Sequence, residues 1–438
     1  VSDVMTETDI NTVHQQAFAS IAANKQEPAW LVQRRAEAYA MATQLDYPVL
    51  EKTRLDRWEL SEYGTYQAAT AVEDIASLPT ELAPLISSRG EHNLLVQCDS
   101  KVVYTQLSPE LQRQGVILQS LEQAAADHPE LVQKFFMQAV KVDENRLTAL
   151  HTAMWNGGLF LYIPKHVIID EPIQAIYYSA SAQASFAPHV IIVAEAHSSV
   201  TYVDNYVSSQ GAQSLLHNGI IEVFAKPGAQ VRVATVHDLK KHITDVNVRR
   251  AIIENDATVE WIVGELSDGN GAAETYSILK GNGAITDMKV ISIGVGEQKL
   301  NYTTRAVHVG QATESNMITR AVMRDQATAI INGITKIEHG ARKANGQQTE
   351  RVLMLSPKAR GDANPILLID EDDVKAGHAA SVGQVNVEHV YYLMSRGISR
   401  GEAERLIING FLNPVIQEIP LEALREQLSG LVGRKLAP

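Results

Sequence analysis

The side chains best placed to do chemistry lie near the C-terminal end. Asp370, Glu371, Asp372 and Asp373 form an acidic run, and His378 follows among Ala376, Gly377, Ala379 and Ala380. Neighbours this small leave the imidazole open to another backbone or another chain. A neutral imidazole is a good iron ligand, and nearby acids raise its hold on a proton. The competing reading is a histidine hydrogen-bonded inside a crowded turn. The acidic run has the composition of a cation site, and a solvated turn is its simpler reading. Cys98, in VQCDS, reads as a structural cysteine in a strand. One cysteine cannot supply a four-thiolate cluster, and no HExxH run occurs, so no metal cage is expected within this chain and the metal-ligand set stays unknown. His237 and His242 in HDLKKH have the wrong offset for a shared helical face and read as surface or turn residues. Gly281-Asn282-Gly283 and Gly294-Val295-Gly296 lack the second half of a nucleotide loop and read as turns. No catalytic group is assigned.

These residues must be held by something. After Gly383 the pattern changes from strand to helix. Asn386 can cap a helix with apolar positions Val387, Val390, Tyr391 and Met394. Ser399 and Glu402 form a capping box for a second helix, with Ala403, Leu406, Ile407 and Phe411 on one face and Pro414 as its stop. Arg400 and Arg405 are expected on the outer face of this hairpin. A last helix opens at Pro420 with a leucine seam, Leu421, Leu424, Leu428 and Leu431.

Upstream, residues 1 to about 28 are polar and expected to fray. A helix follows from Pro28 toward Pro48, with two short strands about Asp99-Ser100 and helical periodicity from Pro109 to Leu150. From Gly157 short alternating segments recur. Ala229, Ala257, Ala284 and Ala312 are spaced 28, 27 and 28 apart, with Gly, Asn and Asp turns between them. Stacked solenoid coils produce such a recurrence, since each coil buries its inward side chains against the next. The bland competitor is a β-sandwich with long hairpins. The expected fold is mainly β: a right-handed parallel β-helix (β-solenoid) core over 156–385, an N-terminal predominantly helical region over 1–155, and a C-terminal helical region over 386–438.

Composition limits the function. The 438 residues carry a formal charge of −13, which argues against nucleic acid or an anionic membrane as partner. Aromatic content is 6% within 45% hydrophobic residues, which suits many β-branched strands. No run is apolar enough to span a bilayer. The polar start and single cysteine make the cytoplasm the expected compartment.

Three stretches carry a resemblance. DDVKAGHAASVG with YYLMSRGIS…EA…LI..GF resembles the C-terminal signature of the SufB/SufD family, scaffold proteins of Suf iron–sulfur cluster assembly. HTAMWNGGLFLYIPK at 151–165 and PAWLVQRRAEAYAMATQL at 28–45 are similar to the family's central and N-terminal segments. The SufD branch fits better than SufB, because His378 is followed by Ala379 and no cysteine lies after Cys98. The resemblance implies a β-helix core and a non-enzymatic scaffold. It implies a SufB-like scaffold and a SufC-like ATPase as partners, with a homodimer when isolated. It further implies a role for His378 in iron–sulfur assembly near the partner scaffold, and an ATPase grip on the C-terminal helices. No tightly bound cofactor is expected, and the iron–sulfur cluster is expected only transiently, at the level of the complex. The rival from another class is a β-helix enzyme acting on polysaccharide, whose face would gather carboxylates and calcium.

Overall fold

The computed structural model describes residues 7–25, 27–86, 92–211, 213–417 and 422–435. The N-terminal region holds α1 (Glu7–Asn24), α2 (Ala29–Ala42), β1 (Leu94–Cys98), β2 (Lys101–Gln106), α3 (Pro109–Arg113), β3 (Ile117–Gln119), α4 (Leu121–Asp127), α5 (Pro129–Phe135) and α6 (Arg146–Met154). There follow β4 (Leu159–Ile163), β5 (Ile173–Ser179), β6 (His189–Ala194), β7 (Ser199–Ser208), β8 (Leu215–Ala225), β9 (Gln230–Asp238), β10 (Ile243–Ile253) and β11 (Thr258–Glu265). The later strands are β12 (Gly271–Leu279), β13 (Ile285–Gly294), β14 (Lys299–His308), β15 (Glu314–Met323), β16 (Thr328–Ile337), β17 (Asn345–Met354), β18 (Arg360–Ile369) and β19 (Lys375–Gln384). The chain then forms α7 (Val387–Ser395), α8 (Arg400–Ile416) and α9 (Glu422–Lys435).

From β4 onward, strands alternate between two sheets, and every pair of neighbours within a sheet is parallel. This is a β-solenoid of about eight coils. Odd strands build one sheet, which ends β5-β1-β2, and even strands build the other, which ends β4-β3. Strands of the N-terminal region therefore continue both sheets.

Alternation decides which side chains meet in the lumen. Val231 and Val233 from the odd sheet share one core with Ile221, Val223, Ala251 and Ile253 from the even sheet. Trp261 is fully buried there, and its Nε1 donates to Ser277 Oγ at 3.1 Å. The helical regions cover opposite outer faces. α2 and α6 pack with Ile191, Leu216, Ile220 and Val246 on the even sheet. α8 and α9 pack through Ile408, Leu412, Leu428 and Leu431 against Ala234, Val236, Ile262 and Ile291 on the odd sheet.

The repeat holds with one slip. Ala229, Ala257 and Ala284 immediately precede paired strand starts and are equivalent. Ile285 pairs with Glu314, so the fourth member is Thr313 and not Ala312. Ala312 occupies the preceding corner, where the backbone turns left-handed (φ +51°), as at Gly228, Asp256 and Gly283. The coil there has gained a residue.

Other expectations are corrected. From Glu7 onward the polar N-terminal stretch folds as α1, with Ala17 and Ile21 buried. The N-terminal end of α8 matches the sequence: Ser399 Oγ accepts from Glu402 N, and the Glu402 side chain accepts from Ser399 N. Pro414 does not stop the helix, which runs to Ile416, because a proline in the last turn costs one hydrogen bond near an end already short of them. The buried face of α8 is Ala403, Ile408, Leu412 and Val415, while Leu406 is half exposed. Leu428 and Leu431 are buried as the seam requires. Pro420, Leu421 and the Leu424 side chain lie outside the described residues.

Candidate functional site

The terminal coil, β18 and β19, positions His378. It pairs in register with Gln348 and continues a lumen-facing ladder of Trp261, Met288 and Met317. Among the described residues no later strand covers it, so the imidazole is exposed although it points along the lumen wall. The outer edges of β18 and β19 are unpaired among the described residues, and Ile366, Leu368, Ile369 and Val382 are each about 40% exposed. Cys98 sits on β1, eight strands away across the odd sheet, about 38 Å at ordinary strand spacing. It cannot join His378 around one metal within a single chain. Burial, with Asp99 adding to it, pushes the Cys98 thiol up to about 12, so it is protonated and inert. Glu371 of the acidic run accepts from Gly340 N at 2.9 Å and braces the neighbouring turn.

Beyond the same coil stands the helical hairpin. Asn386 Oδ1 caps α7 through Glu388 N at 2.8 Å. Of the apolar positions read from the sequence only Val390 is buried; Val387 and Tyr391 are over 70% exposed, and Tyr392, Met394 and Leu406 are also open. The amphipathic face of α7 thus has no cover among the described residues. Arg400 is exposed and pairs with Glu404 at 2.9 Å. Arg405 lines a groove between α8 and the turn at Leu355-Ser356.

Sequence reasoning missed the polar centre of the lumen. His237 is fully buried, not on the surface, while His242 does lie in a turn. Asp245 accepts from His217 Nδ1 at 2.8 Å, His237 Nδ1 at 3.0 Å and Ser267 Oγ at 2.9 Å. Arg249 donates to His237 Nε2 at 2.9 Å and to Glu265 at 2.7 Å. Burial alone would raise the Asp245 carboxyl; His237 and His217 hold it well below the usual range. Burial lowers His217. Three potential metal ligands, His217, His237 and Asp245, therefore lie within 4.8 Å of one another. The set fits hydrogen bonding better than a cation, because both Nδ1 atoms carry the protons given to Asp245 and the Arg249 charge abuts His237. The signal was in the repeat: His217 and Asp245 are 28 apart, one coil.

A second buried chain seals the helical region to the solenoid. His151 Nδ1 donates to Asn218 O at 2.8 Å and its Nε2 meets His189 Nδ1 at 3.0 Å. His189 Nε2 reaches Glu222 at 3.0 Å, and Glu222 also accepts from the backbone N–H groups of Met137, Ala139 and Val140. With His151 Nδ1 donating, its Nε2 must accept from His189, so the remaining proton lies in the His189–Glu222 bond.

Fold and end coil define the class: a two-sheet parallel β-solenoid whose last coil is open and whose terminal hairpin presents an apolar face. Residues 177–411 match the SUF system FeS cluster assembly, SufBD core domain, and 91–175 the SufBD protein N-terminal region. The chain is 45% identical to the iron–sulfur cluster assembly protein SufD of Bacillus subtilis, over 97% of this chain and 98% of that one. It is 26% identical to an iron–sulfur cluster assembly SufBD family protein of Pyrococcus horikoshii (97% of each chain) and 27% to one of Staphylococcus epidermidis (91% and 88%). The chain belongs to the SufB/SufD family of iron–sulfur cluster assembly proteins, and within it is most like SufD. This is not a known enzyme family. Among the described residues no helix is long and apolar enough to cross a membrane.

Proposed function

We propose that this chain is a non-enzymatic scaffold subunit of Suf iron–sulfur cluster assembly, joined to a SufB-like scaffold through its last coil and to a SufC-like ATPase through α7 and α8. The observation that carries the reading is the bare apolar face of α7 beside the unpaired edges of β18 and β19. An uncovered apolar face of this kind favours a partner. An unpaired sheet edge favours strand addition or capping by another chain. The capping box stiffens the α8 start, which suits an element through which an ATPase stroke is transmitted. His378 offers one imidazole to iron, which is cargo here. Further ligands, a thiolate among them, come from the partner scaffold, so no cofactor stays tightly bound to this chain alone. The cytoplasm is the compartment that goes with this role.

Co-expression with SufB-like and SufC-like chains tests the reading. Tyr391→Asp, or Arg400→Glu with Arg405→Glu, is expected to lose the ATPase while keeping the wild-type melting temperature. His378→Ala is expected to keep the three-chain complex and lower its iron and sulfide content. ATPase binding untouched by all three hairpin changes would place that contact elsewhere. Unchanged iron and sulfide in His378→Ala would remove the histidine from assembly.

A further inference from the structure

We propose that a groove on the outer face of the even sheet, opposite the sheet that α8 and α9 cover, binds a small monocarboxylate with an apolar body. The groove encloses about 460 Å³ between residues 48–55, the start of α6 and strands β10, β12 and β14. That is within the range of small-molecule sites. Residues 48–55 form a strap tied down at both ends of its turn. Asn301 Nδ2 donates to Glu51 O at 3.0 Å and Thr53 Oγ1 at 2.7 Å, and Lys52 pairs with Asp362 at 3.2 Å. The cavity beneath is therefore held open by the fold.

Its floor carries Arg250, Tyr276 and Arg305 side by side on consecutive strands. Both guanidinium groups lie over the Tyr276 ring, at 4.8 and 5.0 Å from its centre. The two arginines are not equivalent. Arg250 is committed to Glu144, to Glu274 at 2.9 Å and to Ala139 O at 3.2 Å. Arg305 has no hydrogen bond or ion pair among the described residues, while the Nε atoms of both arginines are buried without a partner. The half-buried Arg305 fork is thus left uncommitted at the groove floor, and a guanidinium fork matches a carboxylate bidentately. Leu50, Leu55, Leu147 and Val248 supply an apolar wall. Charge sets the class. Two glutamates already oppose two arginines in the lining, so a dianion meets repulsion that a monoanion largely escapes.

The test titrates full-length protein with hexanoate, with its neutral analogue hexanamide and with inorganic phosphate, followed by calorimetry and ligand-observed NMR. Saturable one-to-one hexanoate binding is expected, with hexanamide and phosphate at least about tenfold weaker. Arg305→Gln should weaken hexanoate about tenfold, and Arg305→Lys less. Val248→Phe, which fills the groove without touching charge, should abolish binding and keeps the proposal testable if Arg305→Gln folds poorly. Hexanoate that does not saturate, or that binds Val248→Phe or Arg305→Gln as it binds the wild type, overturns the site. Phosphate binding as tightly as hexanoate overturns the monocarboxylate class. Hairpin and His378 variants should bind hexanoate normally, so this site stands or falls apart from the scaffold reading.

Discussion

Asp204 projects into the lumen from β7, opposite Thr235 in the register, and is fully buried. Burial raises its carboxyl from 3.8 to about 6, against the pull of Thr235, His237 and Arg249. The sign follows from proton counting. The unfolded chain releases this proton near its ordinary value, while the folded chain keeps it to about pH 6. The folded state therefore binds more protons in between, and stability from this group is full below about pH 4 and falls as pH rises through 6. The loss is on the order of 3 kcal/mol. Asp204→Asn removes the ionisation, so its melting temperature relative to wild type should rise between pH 4.5 and pH 8. A difference independent of pH would show that Asp204 does not titrate there. Asp245, one coil on, is the opposite case: four donors keep it charged. Sequence supplied these residue types, but only coil stacking brought them together.

At the scale of the element, the solenoid corners reward residues that accept a left-handed backbone. Glycine and aspartate hold several of these corners, but Ala312 stands in one at φ +51°. Alanine pays a steric penalty in that conformation that glycine does not. Ala312→Gly should therefore stabilise the protein by about 0.5–1 kcal/mol in denaturant unfolding, although glycine usually weakens regular structure. A loss of stability would mean that packing at this corner outweighs the backbone. The helices show what spacing conveys and what it leaves open. The Ser399–Glu402 box was legible because capping is local. The apolar face of α7 was legible too, yet nothing in its spacing says that the chain leaves it bare.

For the whole molecule, the solenoid is covered at the outer faces of its early and middle coils and left open at its last coil. β19 is mostly exposed and β18 mostly half-buried, in contrast to earlier strands such as β8 and β13. The isolated chain is expected to close this end with a second copy. Sedimentation at micromolar concentration should show a dimer, and Val382→Lys should shift it to monomer. A strict monomer for the wild-type chain would mean that the end coil needs a different partner.

The sequence by itself determined the repeat, because period and alternation are written in neighbouring residues, but it left a β-sandwich open beside the solenoid until parallel pairing of equivalent residues from coil to coil decided between them. It determined the capped hairpin for the same reason: caps act within one turn. Ion pairs such as Lys226–Glu254 and Arg232–Glu260, each 28 residues apart, follow once the period is known. The lumen network, the His151–His189–Glu222 chain and the groove at Arg305 required the tertiary structure. Their members come from different coils and from a helical region far off in sequence, and a one-residue change in coil length, as at Ala312, is absorbed at the corner and alters the sequence spacing at which later in-register partners fall.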